Sequence, residues 1–265
     1  QCPHRPQKQN YKCQQIFHLS ILTHNLVQHF TLHSRCARFI LMPYRVDPIN
    51  TGRYYHVFNR GVNRLDTFID KRDCHQALLS MNYYRFNKPP FRLSRFKSLS
   101  ATEQTKRLIE LLNTNETLVD ILCFVLMPNH FHFLLKQNVE DGISTFIRKF
   151  SNSYARYFNT SHNWVGHLFQ GQFKAVEIES ESQLIHVSRY IHLNPYVSGI
   201  TTKDNLENYP WSSYPDYLTK RLDRVNPIEI LKIFKSPEAY REFVTNHADY
   251  ARELEFIKHL TIDTE

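Results

Sequence analysis

No window of this sequence holds the ~18 uninterrupted apolar residues that a membrane-spanning helix requires, so the expected compartment is the cytoplasm and no membrane partner is expected. The five cysteines, at positions 2, 13, 36, 74 and 123, include no C-x-x-C pair, which argues against a zinc ribbon or a disulfide framework and fits a reducing environment. A Gly-rich phosphate loop is also missing, so nothing points to a nucleotide cofactor. Acidic residues are scarce in places. Residues 1–41 contain none, and residues 85–107 set Glu103 alone against Arg85, Lys88, Arg92, Arg95, Lys97, Lys106 and Arg107.

What is present is a basic, otherwise ordinary globular composition. The net charge of +8 and pI near 9.2 suit a polyanionic partner, because Lys and Arg displace counterions from a nucleic-acid backbone. A high pI taken alone fits simple solubility equally well. Residues 1–41 carry three of the five cysteines, and Met42 follows them directly. We expect Met42 to be the natural start, with 1–41 a non-native or disordered extension; a genuine basic arm is the alternative. The main domain is then 42–217, with a basic insertion at 85–112, and 218–265 form a helical C-terminal extension.

Periodicity supplies the elements. Arg53–Asn59 is rich in β-formers and reads as a strand. Asp70 caps a helix with apolar positions at Cys74, Ala77, Leu78 and Met81, and Ser100 with Glu103 forms a capping box opening a helix to about Leu112. Strands at Leu118–Met127 and His130–Lys136 flank a Pro128-Asn129 turn. An amphipathic helix covers Ile143–Tyr157, a strand ends at Ile178, and a helix capped by Ser180 or Ser182 runs to Asn194, where Pro195 is expected to stop it. The order resembles a split β-α-β arrangement. The expected class is α+β: a ferredoxin-like antiparallel sheet with helices on one face.

Two local patterns bear chemistry. His130 and His132 stand two apart on a strand, so their imidazoles share a face about 7 Å apart while Phe131, Phe133 and Leu135 fill the other. Such a pair could close on a divalent metal or be no more than exposed strand histidines. Tyr190 and Asn194 stand four apart on a helix face, which fits a functional pair or a surface pair at a helix end.

Taken together, these patterns resemble a known family. Five blocks occur in order between Arg53 and Tyr217: Tyr55-His56-Val57-Phe58-Asn59-Arg60-Gly61, Pro128-Asn129-His130-Phe131-His132, Gly166 to Lys174, Tyr190-Ile191-His192-Leu193-Asn194-Pro195, and Tyr209-Pro210-Trp211-Ser212-Ser213-Tyr214. The combination is similar to the single-tyrosine HUH transposases, nearest to the REP-associated branch. The resemblance implies Tyr190 as nucleophile and His130, His132 and Asn194 as ligands of Mg²⁺ or Mn²⁺. It also implies cleavage and strand transfer of hairpin-bearing single-stranded DNA through a 5′-phosphotyrosine. A domesticated, non-catalytic hairpin binder is the alternative, and monomer or homodimer is left open. Candidate DNA contacts are Arg60, Arg92, Arg95, Lys97, Arg148, Lys149, Arg156 and Lys174. Phe169 and Gln172 depart from the Trp and Arg usual in the middle block, which removes one phosphate contact.

Overall fold

Tyr54–Arg60 forms strand β1, and its run of buried residues, broken only at the two ends, already indicates a sheet covered on both faces. The structure, a computed structural model, describes residues 48–114, 116–221 and 223–246. The expectations for residues 1–41 and Met42 lie outside these residues. After β1 come α1 (Lys71–Tyr84), α2 (Leu93–Lys97) and α3 (Ala101–Thr114). The hairpin β2 (Val119–Met127) and β3 (His130–Gln137) follows, then α4 (Gly142–Ser161), β4 (Lys174–Ile178) and α5 (Glu181–Val197). Three shorter helices, α6 (Tyr214–Thr219), α7 (Ile228–Leu231) and α8 (Pro237–Thr245), complete the described chain.

The four strands lie in the order β2-β3-β1-β4, every neighbour antiparallel. That order and the β-α-β-β-α-β succession of the core are those expected of a ferredoxin-like sheet. One face carries α1 and α4, where Phe131 meets Phe150 at 5.3 Å and Phe133 meets Phe146 at 6.0 Å between ring centroids. The opposite face is covered too. There α5 lies against the sheet, with Tyr190 edge-on to His56 and His132. Helices therefore flank both faces, an addition to the one-face expectation. Its physical signature is the unbroken apolar run Ile121–Met127 in place of a strict alternation.

Local chemistry fixes the helix starts. The Asp70 carboxylate accepts from the Arg72 and Asp73 amides, Ser100 Oγ from Glu103, and Ser180 Oγ from Gln183 at 3.1 Å. The end of α5 differs from expectation. Pro195 lies inside the helix, which runs to Val197 before Ser198 N donates to the Asn194 carbonyl at 2.9 Å. Proline forfeits one backbone donor and crowds the preceding turn, and within a turn of the helix end that cost is tolerated.

Strand β2 would be an open edge, but the Trp211–Ser213 segment lies along it. Leu126 N donates to Trp211 O at 2.8 Å, Ser213 N to Phe124 O at 3.0 Å, and Tyr217 Oη to Leu122 O at 2.9 Å. Helix α8 then braces α5: the Tyr240 hydroxyl lies 3.0 Å from Ser188 Oγ and 2.7 Å from His192 Nδ1. The C-terminal helices thus hold the helix that presents Tyr190.

Candidate functional site

The antiparallel register sets Phe58 opposite His132 and Arg60 opposite His130, so the even-numbered residues of β1 and β3 share the face beneath α5. His56, His132 and Tyr190 meet there. The His130 and His132 rings stand 5.0 Å apart and nearly perpendicular. Tyr190 presents its ring edge-on to His132 at 5.5 Å and to His56 at 5.9 Å. Tyr190 is 5 % exposed and His132 fully buried. The pair is therefore no exposed strand pair, because α5 roofs it over.

Each histidine is oriented by a neighbour. Asn129 Oδ1 accepts from His130 Nδ1 at 2.6 Å. His132 Nδ1 and His56 Nε2 share a hydrogen bond of 2.9 Å. Nε2 of His132 is buried with no hydrogen-bond partner. Burial, followed by His130, His56 and Arg60, holds the His132 imidazole well below the usual histidine range. It is neutral across physiological pH, the form in which an imidazole ligates a metal. An orphaned, buried, neutral nitrogen is what a divalent cation would take up. Among the described residues no group of three or more His, Cys, Asp or Glu side chains comes together as a metal site. Asn194 is buried on α5, and its Oδ1 accepts from Ser198 Oγ at 3.4 Å.

The other candidates divide. Arg60 lines a small hollow together with Arg64, Asn129 and His130. Arg92, Lys97, Arg148, Lys149 and Arg156 line one groove between α2 and α4, on the far side of the sheet from Tyr190. Arg95 does not line it and instead lies 4.6 Å over the Phe91 ring. Lys174 is exposed at the start of β4, opposite Phe58 in the register. Tyr154, a rival nucleophile by residue type, is buried in the α4 core with its hydroxyl on the Thr67 carbonyl, and burial pushes its pKa far up. Phe169, where a Trp is usual, packs against Phe131 at 5.6 Å, while Gln172 is exposed. His56 and Asn129 are the site residues that sequence reasoning left without a role. Both lie in quoted blocks, but only the β1–β3 register reveals which ring His56 touches.

Residues 90–194 match the family model described as transposase IS200 like. Over that stretch the chain is similar to the IS200-like transposases. The matched stretch runs from the basic insertion to Asn194, taking in both strand histidines and Tyr190. No curated protein matches the chain. Among solved structures, the chain is similar to a REP-associated tyrosine transposase bound to a REP hairpin, at 16% identity and a TM-score of 0.45. That alignment covers 70% of this chain and 88% of the other. A tRNA(His) guanylyltransferase from Saccharomyces cerevisiae aligns at 13% identity and a TM-score of 0.33, over 80% of this chain and 78% of that one.

Proposed function

We propose that this IS200-like domain is a DNA transposase that cuts and rejoins hairpin-bearing single-stranded DNA, with Tyr190 as the nucleophile. The observation that carries the reading is the placement of Tyr190, 5.5 Å edge-on to a neutral, buried His132 whose Nε2 has no hydrogen-bond partner. His130 and His132 would hold a Mg²⁺ or Mn²⁺ ion, with Asn194 as the third protein ligand. The ion would supply Lewis-acid polarisation of the scissile phosphate.

For His132 to offer its Nε2 lone pair, its proton must sit on Nδ1, where His56 Nε2 accepts it; Asn129 does the same for His130. The Tyr190 oxygen attacks phosphorus and the bond to the 3′ oxygen of the preceding nucleotide breaks. The tyrosine loses its proton and the leaving oxygen gains one. The products are a 5′-phosphotyrosine and a free 3′-hydroxyl. The number of phosphodiester bonds is conserved, so the reverse attack by a 3′-hydroxyl rejoins strands without a nucleotide cofactor. The surrounding cations, Arg60 beside His130 foremost, offset phosphate charge.

The test is incubation of the full chain with a labelled, hairpin-bearing single-stranded oligonucleotide and Mn²⁺. A denaturation-resistant adduct whose nucleotide remnant maps to the Tyr190 peptide is the expected result. No adduct, or a remnant on another peptide, overturns the assignment.

A further inference from the structure

We infer that single-stranded nucleic acid follows a track from the hollow at His130 around the end of β1 into a basic groove built by the insertion between α1 and β2. The inference rests on the proposed function only in taking His130 as one end of the path. The groove itself, about 850 Å³, lies between α2 and α4 and presents six cations: Lys88, Arg92, Lys97, Arg148, Lys149 and Arg156. No acidic side chain lines it. None of the six pairs with a carboxylate among the described residues.

Such an accumulation of like charge raises the free energy of the unliganded fold, and a polyanion relieves it. The lysines show how the groove is held. Lys149 Nζ donates to the Asn87 carbonyl at 3.2 Å and Lys97 Nζ to Gln76 Oε1 at 2.7 Å. Burial and then Arg148 lower the Lys149 pKa, as expected where cations are crowded. The exposed edge of α4 sets Arg148, Asn152 and Arg156 four residues apart, a step of about 6 Å along the axis. That step is comparable with the separation of neighbouring phosphates on one extended strand.

Contiguity supplies the path. Arg148 and Asn152 also line a second hollow of about 620 Å³, which runs under the Gly166–Phe173 loop to Asn59. Asn59 is the chain neighbour of Arg60, and Arg60 lines the third hollow, about 370 Å³, with His130. The strand would pass from one sheet face to the other around the Gly166–Phe173 loop, whose Phe169 bridges Gly61 just beyond the end of β1.

The occupant is a single strand, because the edge of α4 presents one row of phosphate-binding side chains, the cations Arg148 and Arg156 with the Asn152 amide between them, and not two rows. The experiment uses the full chain, a fluorescent single-stranded hairpin-bearing oligonucleotide and EDTA, so that no cleavage intervenes. Neutralising three exposed side chains together, Arg92→Gln, Arg148→Gln and Arg156→Gln, should weaken binding. It should also reduce the slope of log affinity against log salt by about two, at ~0.7 per single-strand phosphate contact. Mn²⁺ affinity by calorimetry should match the parent. A photo-crosslinking residue at Asn152 should label the oligonucleotide more strongly than one at Lys235 on the C-terminal segment. Should the triple variant not fold, the three single variants must each lower the slope. An unchanged slope, or equal crosslinking at both positions, overturns the track, as does the same loss of slope with a blunt duplex alone. The Tyr190 adduct is scored separately: an adduct with an unaltered slope sinks the track alone, and a reduced slope without any adduct sinks the nucleophile alone.

Discussion

His56 Nε2 and His132 Nδ1 lie 2.9 Å apart, two fully buried imidazoles on neighbouring strands with their rings stacked at 5.1 Å. One proton serves both nitrogens, so the tautomer of one ring dictates that of the other. His56→Ala should therefore lower divalent affinity by about 10–100-fold, the range for loss of a partner that orients a metal ligand. His56→Gln, whose amide oxygen can accept the same proton, should recover part of it. Calorimetric titration with Mn²⁺ checks this, and parental affinity in both variants would sink the idea.

Tyr190→Phe removes one oxygen and keeps the edge-on packing against His132. Strand cleavage and adduct formation should vanish while oligonucleotide binding and Mn²⁺ affinity stay within about two-fold of the parent. Tyr154→Phe, in the α4 core, should still cleave. Continued cutting by the Tyr190 variant would point to water as the attacking group.

His130→Ala and His132→Ala should abolish metal-dependent cleavage, with unequal effects on folding. His132 sits wholly beneath α5, so its loss opens a cavity and removes the hydrogen bond it shares with His56, costing roughly 1–3 kcal/mol. A denaturant melt resolves this. An undiminished Mn²⁺ titration in both variants would place the ligands elsewhere.

His192 joins α5 to α8 and to β2 through Tyr240 Oη at 2.7 Å and Ser213 Oγ at 2.8 Å, and burial lowers its pKa to about 3. Unfolded, the group titrates near ~6.5. Between those values the unfolded chain binds the proton and the fold does not. Stability from this group is therefore complete above about pH 6.5 and lost as pH falls toward 3, by at most ~1.4 kcal/mol per pH unit. His192→Gln should flatten the acid limb of a stability-versus-pH curve measured by urea melts. An unchanged limb would show that other groups control it.

Gly61 follows β1 at a point of close approach: an added Cβ would lie 2.2 Å from the Leu65 carbonyl oxygen and 2.7 Å from Thr67 Cγ2. Gly61→Ala should cost about 1–3 kcal/mol by overpacking and displace Arg60 from the hollow at His130. Parental stability and oligonucleotide binding would rule this out.

Much of this was legible in residue order. Alternation in β3 separated His130 and His132 from Phe131 and Phe133, and Asp70, Ser100 and Ser180 announced their helices. Four things were not. The burial of the histidines depends on α5 crossing the second face, which no local pattern encodes. The role of His56 depends on a cross-strand register between residues 76 positions apart. Pro195 follows a rule for helix interiors that relaxes near a terminus, so α5 outlasts it. Arg92, Arg148 and Arg156 are candidate DNA contacts by residue type, but that they line one groove depends on α2 meeting α4, elements some fifty residues apart.

The Trp211–Ser213 segment, with Asn226 N donating to the Ile121 carbonyl at 2.8 Å, occupies the outer backbone of β2. Among the described residues β4 is then the one margin where another chain could extend the sheet, and it offers only five residues. Strand-swapped or fibrillar association is disfavoured by so short a template. The described residues leave helices, loops and that brief seam as the surfaces through which copies could meet.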